Sequence, residues 1–175
     1  MTFNEECAAY DRARAVEKWD RRFLELARHV AQWSKDPSTK VGAVIVEPNR
    51  RAVVAMGYNG FPRGVEDTVE RLNDRALKYQ MVAHAELNAI LNAILNAVAS
   101  VEGCTLYVWP TFLTGHAPTC NERAKAVIQA GIAEVVAYRQ GITDDVASAS
   151  WKEELRVAGE MYQETNVQWR FIDGQ

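Results

Sequence analysis

His84 and Glu86 stand two residues apart in Met81-Val82-Ala83-His84-Ala85-Glu86-Leu87-Asn88-Ala89-Ile90, where a loop runs into an Ala/Leu/Asn-rich segment. That pairing suits a metal ligand beside a general acid/base. A neutral imidazole donates a lone pair, and a carboxylate moves protons. A sulfur donor follows at Cys120, in Pro118-Thr119-Cys120-Asn121-Glu122-Arg123. A metal held by such donors would lower the pKa of a bound water toward about 7. Taken singly, each feature is weak. His and Glu this close are common on helices, and a single Cys is usually a small buried hydrophobe.

The chain supplies elements able to bring these residues together. From Val16 to Ser34 the apolar positions Trp19, Phe23, Leu26, Ala27, Val30 and Trp33 recur at three- and four-residue steps, which predicts an amphipathic helix. Residues 1–15 are mixed polar and predict a loose arm or a short helix. Asp36-Pro37-Ser38 breaks the pattern. Val41-Gly42-Ala43-Val44-Ile45-Val46 is apolar without alternation, as in a strand covered on both faces, and Arg51 to Tyr58 is its hairpin partner. Asn59-Gly60-Phe61-Pro62-Arg63-Gly64 is a loop, and residues 65–80 predict a surface loop with a short helix.

Further on, a buried helix is expected from His84 to Ala99, then a strand from Thr105 to Trp109 and a long loop. A helix from Cys120 to Ala130 ends at Gly131, where a C-terminal glycine cap belongs. Strand Ile132–Tyr138, a helix around Trp151 to Tyr162 and a last strand Val167–Ile172 complete the order. Helices alternating with the later strands imply right-handed crossovers and a three-layer α/β/α sandwich with a mixed sheet of about five strands. No repeat, low-complexity tract or boundary divides residues 1–175, so a single domain is expected.

Composition narrows the function classes. A hydrophobic fraction of 48% with 25% charged residues is ordinary for a globular chain and argues against wholesale disorder. The net charge of −3 and the lack of Lys/Arg clusters argue against a long nucleic-acid partner and favour a small molecule. Neither a secretory signal nor an apolar run long enough to span a membrane is visible. Three scattered cysteines, Cys7, Cys104 and Cys120, make no disulfide framework, which fits a reducing cytoplasm.

Four blocks sharpen the reading: Trp33 to Val46 (WSKDPSTKVGAVIV), Gly57 to Gly64 (GYNGFPRG), His84 to Ile90 (HAELNAI) and Ala124 to Ile132 (AKAVIQAGI). In this order, over residues 19–138, the sequence resembles the deoxycytidylate (dCMP) deaminase family of the cytidine/deoxycytidylate deaminase superfamily. His-x-Glu is the first half of that superfamily's zinc signature, and Pro-Cys-x-x-Cys is the second. The resemblance implies a cytidine-deaminase-type sandwich and zinc-dependent hydrolysis of dCMP to dUMP and ammonia, with one zinc per chain. By it His84 would be a zinc ligand, Glu86 the proton shuttle and Cys120 the first sulfur ligand. Asn59 falls in the loop lining the family's nucleotide pocket, and Arg63 is a phosphate candidate. A homo-oligomer is implied as well, for which the aromatics Trp151, Tyr162 and Trp169 offer contact surface or, equally, core packing.

Two departures stand against the pattern. The family's second Cys is Arg123 here, and the loop from Trp109 to Cys120 is lengthened. A guanidinium is always protonated in proteins and offers no lone pair, so it cannot replace a thiolate. Three readings are open. His116, in the lengthened loop, could be a substitute ligand, or simply an exposed loop residue; Cys104 is weaker, because it precedes the strand. Alternatively, no zinc binds and Arg123 pairs with Glu86 or Cys120 in a catalytically altered or inactive paralogue that still holds a nucleotide. In the third, Arg123 serves a different substrate. A nucleic-acid-editing deaminase needs a basic channel, which the acidic balance opposes.

Overall fold

In the computed structural model, which describes residues 3–96, 100–110, 119–139 and 149–173, the apolar run after Val41 forms β1 (Gly42–Glu47). It lies between β2 (Ala52–Tyr58) and β3 (Thr105–Trp109), antiparallel to both. Beyond β3 come β4 (Glu134–Arg139) and β5 (Gln168–Asp173), both parallel, giving one five-stranded mixed sheet in the order β2-β1-β3-β4-β5. An interior strand covered on both faces needs no polar alternation, and five of the six β1 residues are buried.

Helix α1 (Phe3–Ala31) covers one face of the sheet. Phe23, Leu24, Ala27 and Val30 pack there on Val44, Val46, Tyr107 and Val136. The opposite face carries α4 (Ala85–Leu95), α5 (Asn121–Gln129) and α6 (Ala149–Glu164), which pack on Ala43, Ile45, Leu106, Val108 and Val135. The result is the expected α/β/α sandwich. Two short helices, α2 (Val69–Asn73) and α3 (Arg75–Met81), occupy the stretch expected to hold one.

The N-terminal segment departs from expectation: α1 is continuous from Phe3, with no separate arm. Residues 3–15 contain no Pro or Gly, and Ala and Arg there favour helix, so nothing interrupts propagation from the packed half. The buried stripe is also rotated. Trp33 lies beyond the helix and is half exposed, whereas Leu24 is fully buried. Asp20, on the expected polar side, is buried as well. Its carboxylate accepts from Arg170 Nη1 (2.6 Å), Arg170 Nη2 (2.9 Å) and Tyr107 Oη (2.8 Å). Burial, followed by the Asp20 charge, pushes the Tyr107 phenol well above its usual range.

Two glycines set the distance between layers. A Cβ on Gly42 would lie 2.1 Å from the Ala27 carbonyl oxygen of α1, and one on Gly57 would lie 2.3 Å from the Ala89 nitrogen of α4. Both neighbours are helix backbone and cannot rotate away. The helices therefore sit on the sheet at their closest approach, which fixes the start of α4, where Glu86 lies.

Candidate active site

His84 is the N-cap residue of α4, in extended conformation, and its side chain makes no capping bond. The imidazole is therefore left for other partners. Glu86, in the first turn of α4, has no exposed surface. A carboxylate there gains from the positive end of the helix dipole, which offsets part of its desolvation. Cys120 caps α5 in the same way: extended, buried and without a side-chain capping bond. These two helices pack side by side on one sheet face. Residues distant in sequence thus meet at two adjacent helix N-termini.

Arg123 lies one helical turn after Cys120 and therefore on the same side of α5. Its Nη1 donates to Glu86 Oε1 at 3.2 Å, and the side-chain exposures of the pair are 12% and 0%. Burial opposes the Arg123 charge, but Glu86 and then Cys120 more than compensate, so its pKa is raised. The His84 imidazole is pulled below its usual range, first by burial and then by the Arg123 charge, with Glu86 and Glu122 opposing. His84 is accordingly neutral near pH 7 and its lone pair is available. Glu86 Oε2 and Arg123 Nε are buried without a hydrogen-bond partner among the described residues. Behind the site, the fully buried Tyr162 shares a 2.7 Å hydrogen bond with Thr119, next to Cys120.

The wall beside this centre is a clamp around Asn59. Its Oδ1 accepts from Val41 N (2.7 Å) and its Nδ2 donates to Thr39 O (2.8 Å), while Ser34 Oγ donates to its carbonyl (2.8 Å). One amide hydrogen and one lone pair remain for another partner. Asp36 Oδ1 anchors the same loop, accepting from Lys78 Nζ (2.9 Å), Ser38 N (2.8 Å) and Thr39 N (3.0 Å). Both members of that ion pair are buried. Arg63 is drawn elsewhere: its Nη2 donates to Asn92 Oδ1 at 2.6 Å. Asn92 lies about 9 Å further along α4 than Glu86 at the usual helical rise.

His84, Glu86, Cys120 and Arg123 are thus brought together, with Asn59 in the adjoining wall and Arg63 apart. His116 lies outside the described residues. Cys104 precedes β3, whereas Cys120 is reached after β3 ends at Trp109. Of the aromatics for which contact surface and core packing were both open, Tyr162 is core; Trp169 is half-buried against that core, and the Trp151 side chain is not among those described. Lys78 was not expected. A lone Lys in a short polar helix gives no sequence signal of burial.

The matched region decides the family. Residues 17–139 match the family model for the cytidine and deoxycytidylate deaminase zinc-binding region, well over half of the chain. The chain belongs to that family. An uncharacterised deaminase of the luxG 3′ region in Aliivibrio fischeri is 41% identical over 160 residues, covering 90% of this chain and 97% of that protein. The deoxycytidylate deaminase of Mus musculus is 38% identical over 149 residues, covering 81% and 76% respectively. In fold, the dCMP deaminase from cyanophage S-TIM5, solved in complex with dCMP and dUMP, superposes with a TM-score of 0.61 at 20% identity, covering 87% and 95%.

Membership of a hydrolytic deaminase family makes the chain an enzyme, and it implies zinc. The described residues do not fit that metal. A closed or catalytic zinc site takes at least three protein donors, and with Glu86 engaged by Arg123 only His84 and Cys120 remain at this site among the described residues. No group of three His, Cys, Asp or Glu side chains able to hold a metal occurs among the described residues. The family's third position is filled by a buried cation, already paired with Glu86.

Proposed function

We propose that this chain hydrolytically deaminates a pyrimidine deoxynucleotide, converting dCMP to dUMP and ammonia, with Glu86 carrying the protons. One observation supports this above the rest: a fully buried, ionisable Glu86 stands at the start of α4 in a chain similar to named deoxycytidylate deaminases. Burying a carboxylate is costly, and an apolar residue would pack there without penalty.

The reaction adds water to C4 of the pyrimidine. Glu86, paired with Arg123, accepts a proton from the attacking water and delivers it to ring N3. The new C4 hydroxyl then loses its proton through Glu86 to the amino group, the C4–N bond breaks, and ammonia leaves as the carbonyl forms. Glu86 ends as it began. Asn59, with one donor and one acceptor still free, lines the nucleotide pocket, and Arg63 reaches a phosphate by releasing Asn92. The measurement that decides this reading is conversion of dCMP to dUMP by the purified chain, followed by ammonia release. No product at high enzyme concentration would sink it.

The chain works in this reading as one domain and as a homo-oligomer. Leu87, Leu91, Ile94 and Leu95 lie at helical spacing on α4 and are 36%, 45%, 66% and 63% exposed. Large apolar side chains clustered on one helix face are characteristic of an interface. Leu91→Glu should shift the chain to a smaller species in light scattering; an unchanged mass would remove α4 from the interface. No described helix is long and apolar enough to cross a membrane. The unpaired thiols of Cys104 and Cys120 suit a reducing, cytoplasmic setting.

A further inference from the structure

We infer that Arg123 is the resident cation of this site, and that the chain as built excludes zinc of the family's kind until that one side chain is replaced by Cys. The inference goes beyond the proposed reaction, because it concerns what the site holds rather than what it converts.

Three observations lead there. Arg123 stands three residues after Cys120, the spacing at which the signature places its second sulfur donor. Its guanidinium is buried and turned to Glu86, 3.2 Å away, instead of extending to solvent as a long side chain could. Its position is also electrostatically unfavourable on its own element. A cation in the first turn of α5 faces the positive end of the helix dipole, and only an internal counter-charge offsets that. Glu86 supplies it. A dication bound by His84 and Cys120 would meet a fixed like charge at close range in a largely buried site, where screening is weak. It would also lack a third protein donor among the described residues.

The same geometry makes the block local. Backbone placement of His84 and Cys120 as caps of adjacent helices owes nothing to Arg123, and neither side chain is spent on capping. Cysteine at position 123 would complete a His-Cys-Cys set on this scaffold and leave Glu86 free beside it.

The test equilibrates the purified chain and its R123C variant with excess zinc, desalts both, and measures metal per chain by mass spectrometry together with the thermal midpoint. Wild type should retain essentially no zinc and show the same midpoint with and without it. R123C should retain about one zinc per chain and gain thermal stability from it. Wild type retaining about one zinc per chain overturns the inference, as does a folded R123C that remains metal-free. If R123C fails to fold, the wild-type stoichiometry decides alone, zinc-free protein supporting the inference and zinc-bound protein overturning it. Turnover of dCMP on the same samples separates the two claims. Zinc-free protein without turnover ends the proposed reaction and leaves the inference standing; zinc-bound protein with turnover does the reverse.

Discussion

Glu86→Gln is expected to lower dCMP turnover by about 10²- to 10⁴-fold, the usual contribution of a positioned proton carrier. The substitution keeps the size of the side chain and an oxygen acceptor for Arg123 Nη1, so the shape of the site should persist. What it removes is the ability to take a proton from water and pass it on. It also removes the negative charge that holds Arg123, a buried cation with 12% side-chain exposure. Leaving a buried charge unpaired costs about 3–5 kcal/mol. The amide acceptor recovers part of this, so the thermal midpoint should fall by less than for Glu86→Ala. Rate and stability thus separate the roles. Turnover within a few-fold of wild type would show that Glu86 is there only to pair with Arg123.

Lys78→Met should destabilise the chain by about 3–5 kcal/mol, through the Asp36 carboxylate it strands. Side-chain exposures of 6% for Lys78 and 5% for Asp36 mean that water cannot take over the lost contact. The pair ties α3 to the loop that clamps Asn59, so the site should loosen along with the fold, and KM for the nucleotide should rise. Asp36→Asn combined with Lys78→Met should recover much of the loss, because an amide needs no counter-charge. A chemical-denaturation midpoint unchanged in Lys78→Met would show the pair to be solvated.

The same pair gives a pH dependence of known sign. Burial pushes the Asp36 carboxyl up, but Lys78 and the bonds from Ser38 and Thr39 outweigh it, leaving its pKa below the ordinary value. A carboxylate depressed in the folded state stabilises it above the unfolded pKa of about 3.9 and loses that contribution as the pH falls through its lower folded value. Wild type should therefore keep this stabilisation down to about pH 4. In Lys78→Met the largest of these opposing contacts is gone and burial of Asp36 is left less opposed, so the acid-side loss should shrink, and protonating the stranded carboxyl at low pH should recover part of the stability, as Asp36→Asn is expected to.

The elements were legible because their patterns are local. An unbroken apolar run marks β1, and Gly131 after a periodic segment marks the end of α5. His84, Glu86 and Cys120 were legible for another reason: their order and spacing resemble a signature in which the chemistry dictates the residue types. Asp20 and Lys78 were not legible. Asp20 sits on what looks like the polar side of α1, and only the arrival of Arg170, 150 residues later, makes its burial affordable. Lys78 is buried because Asp36 lies 42 residues earlier, a distance no local pattern encodes.

Arg123 divides the two kinds of information most clearly. By itself the sequence determined that position 123 cannot donate to a metal, since a guanidinium has no lone pair. It left open whether that side chain pairs with Cys120, pairs with Glu86 or serves a different substrate. Tertiary structure decided for Glu86, at 3.2 Å on the neighbouring helix, with side-chain exposures of 12% and 0%. The reason is the close seating of two helices on one sheet face, which Gly57 permits for α4 and which brings two helix N-termini together. A buried cation there must find its counter-charge inside the protein, and Glu86 is the carboxylate within reach.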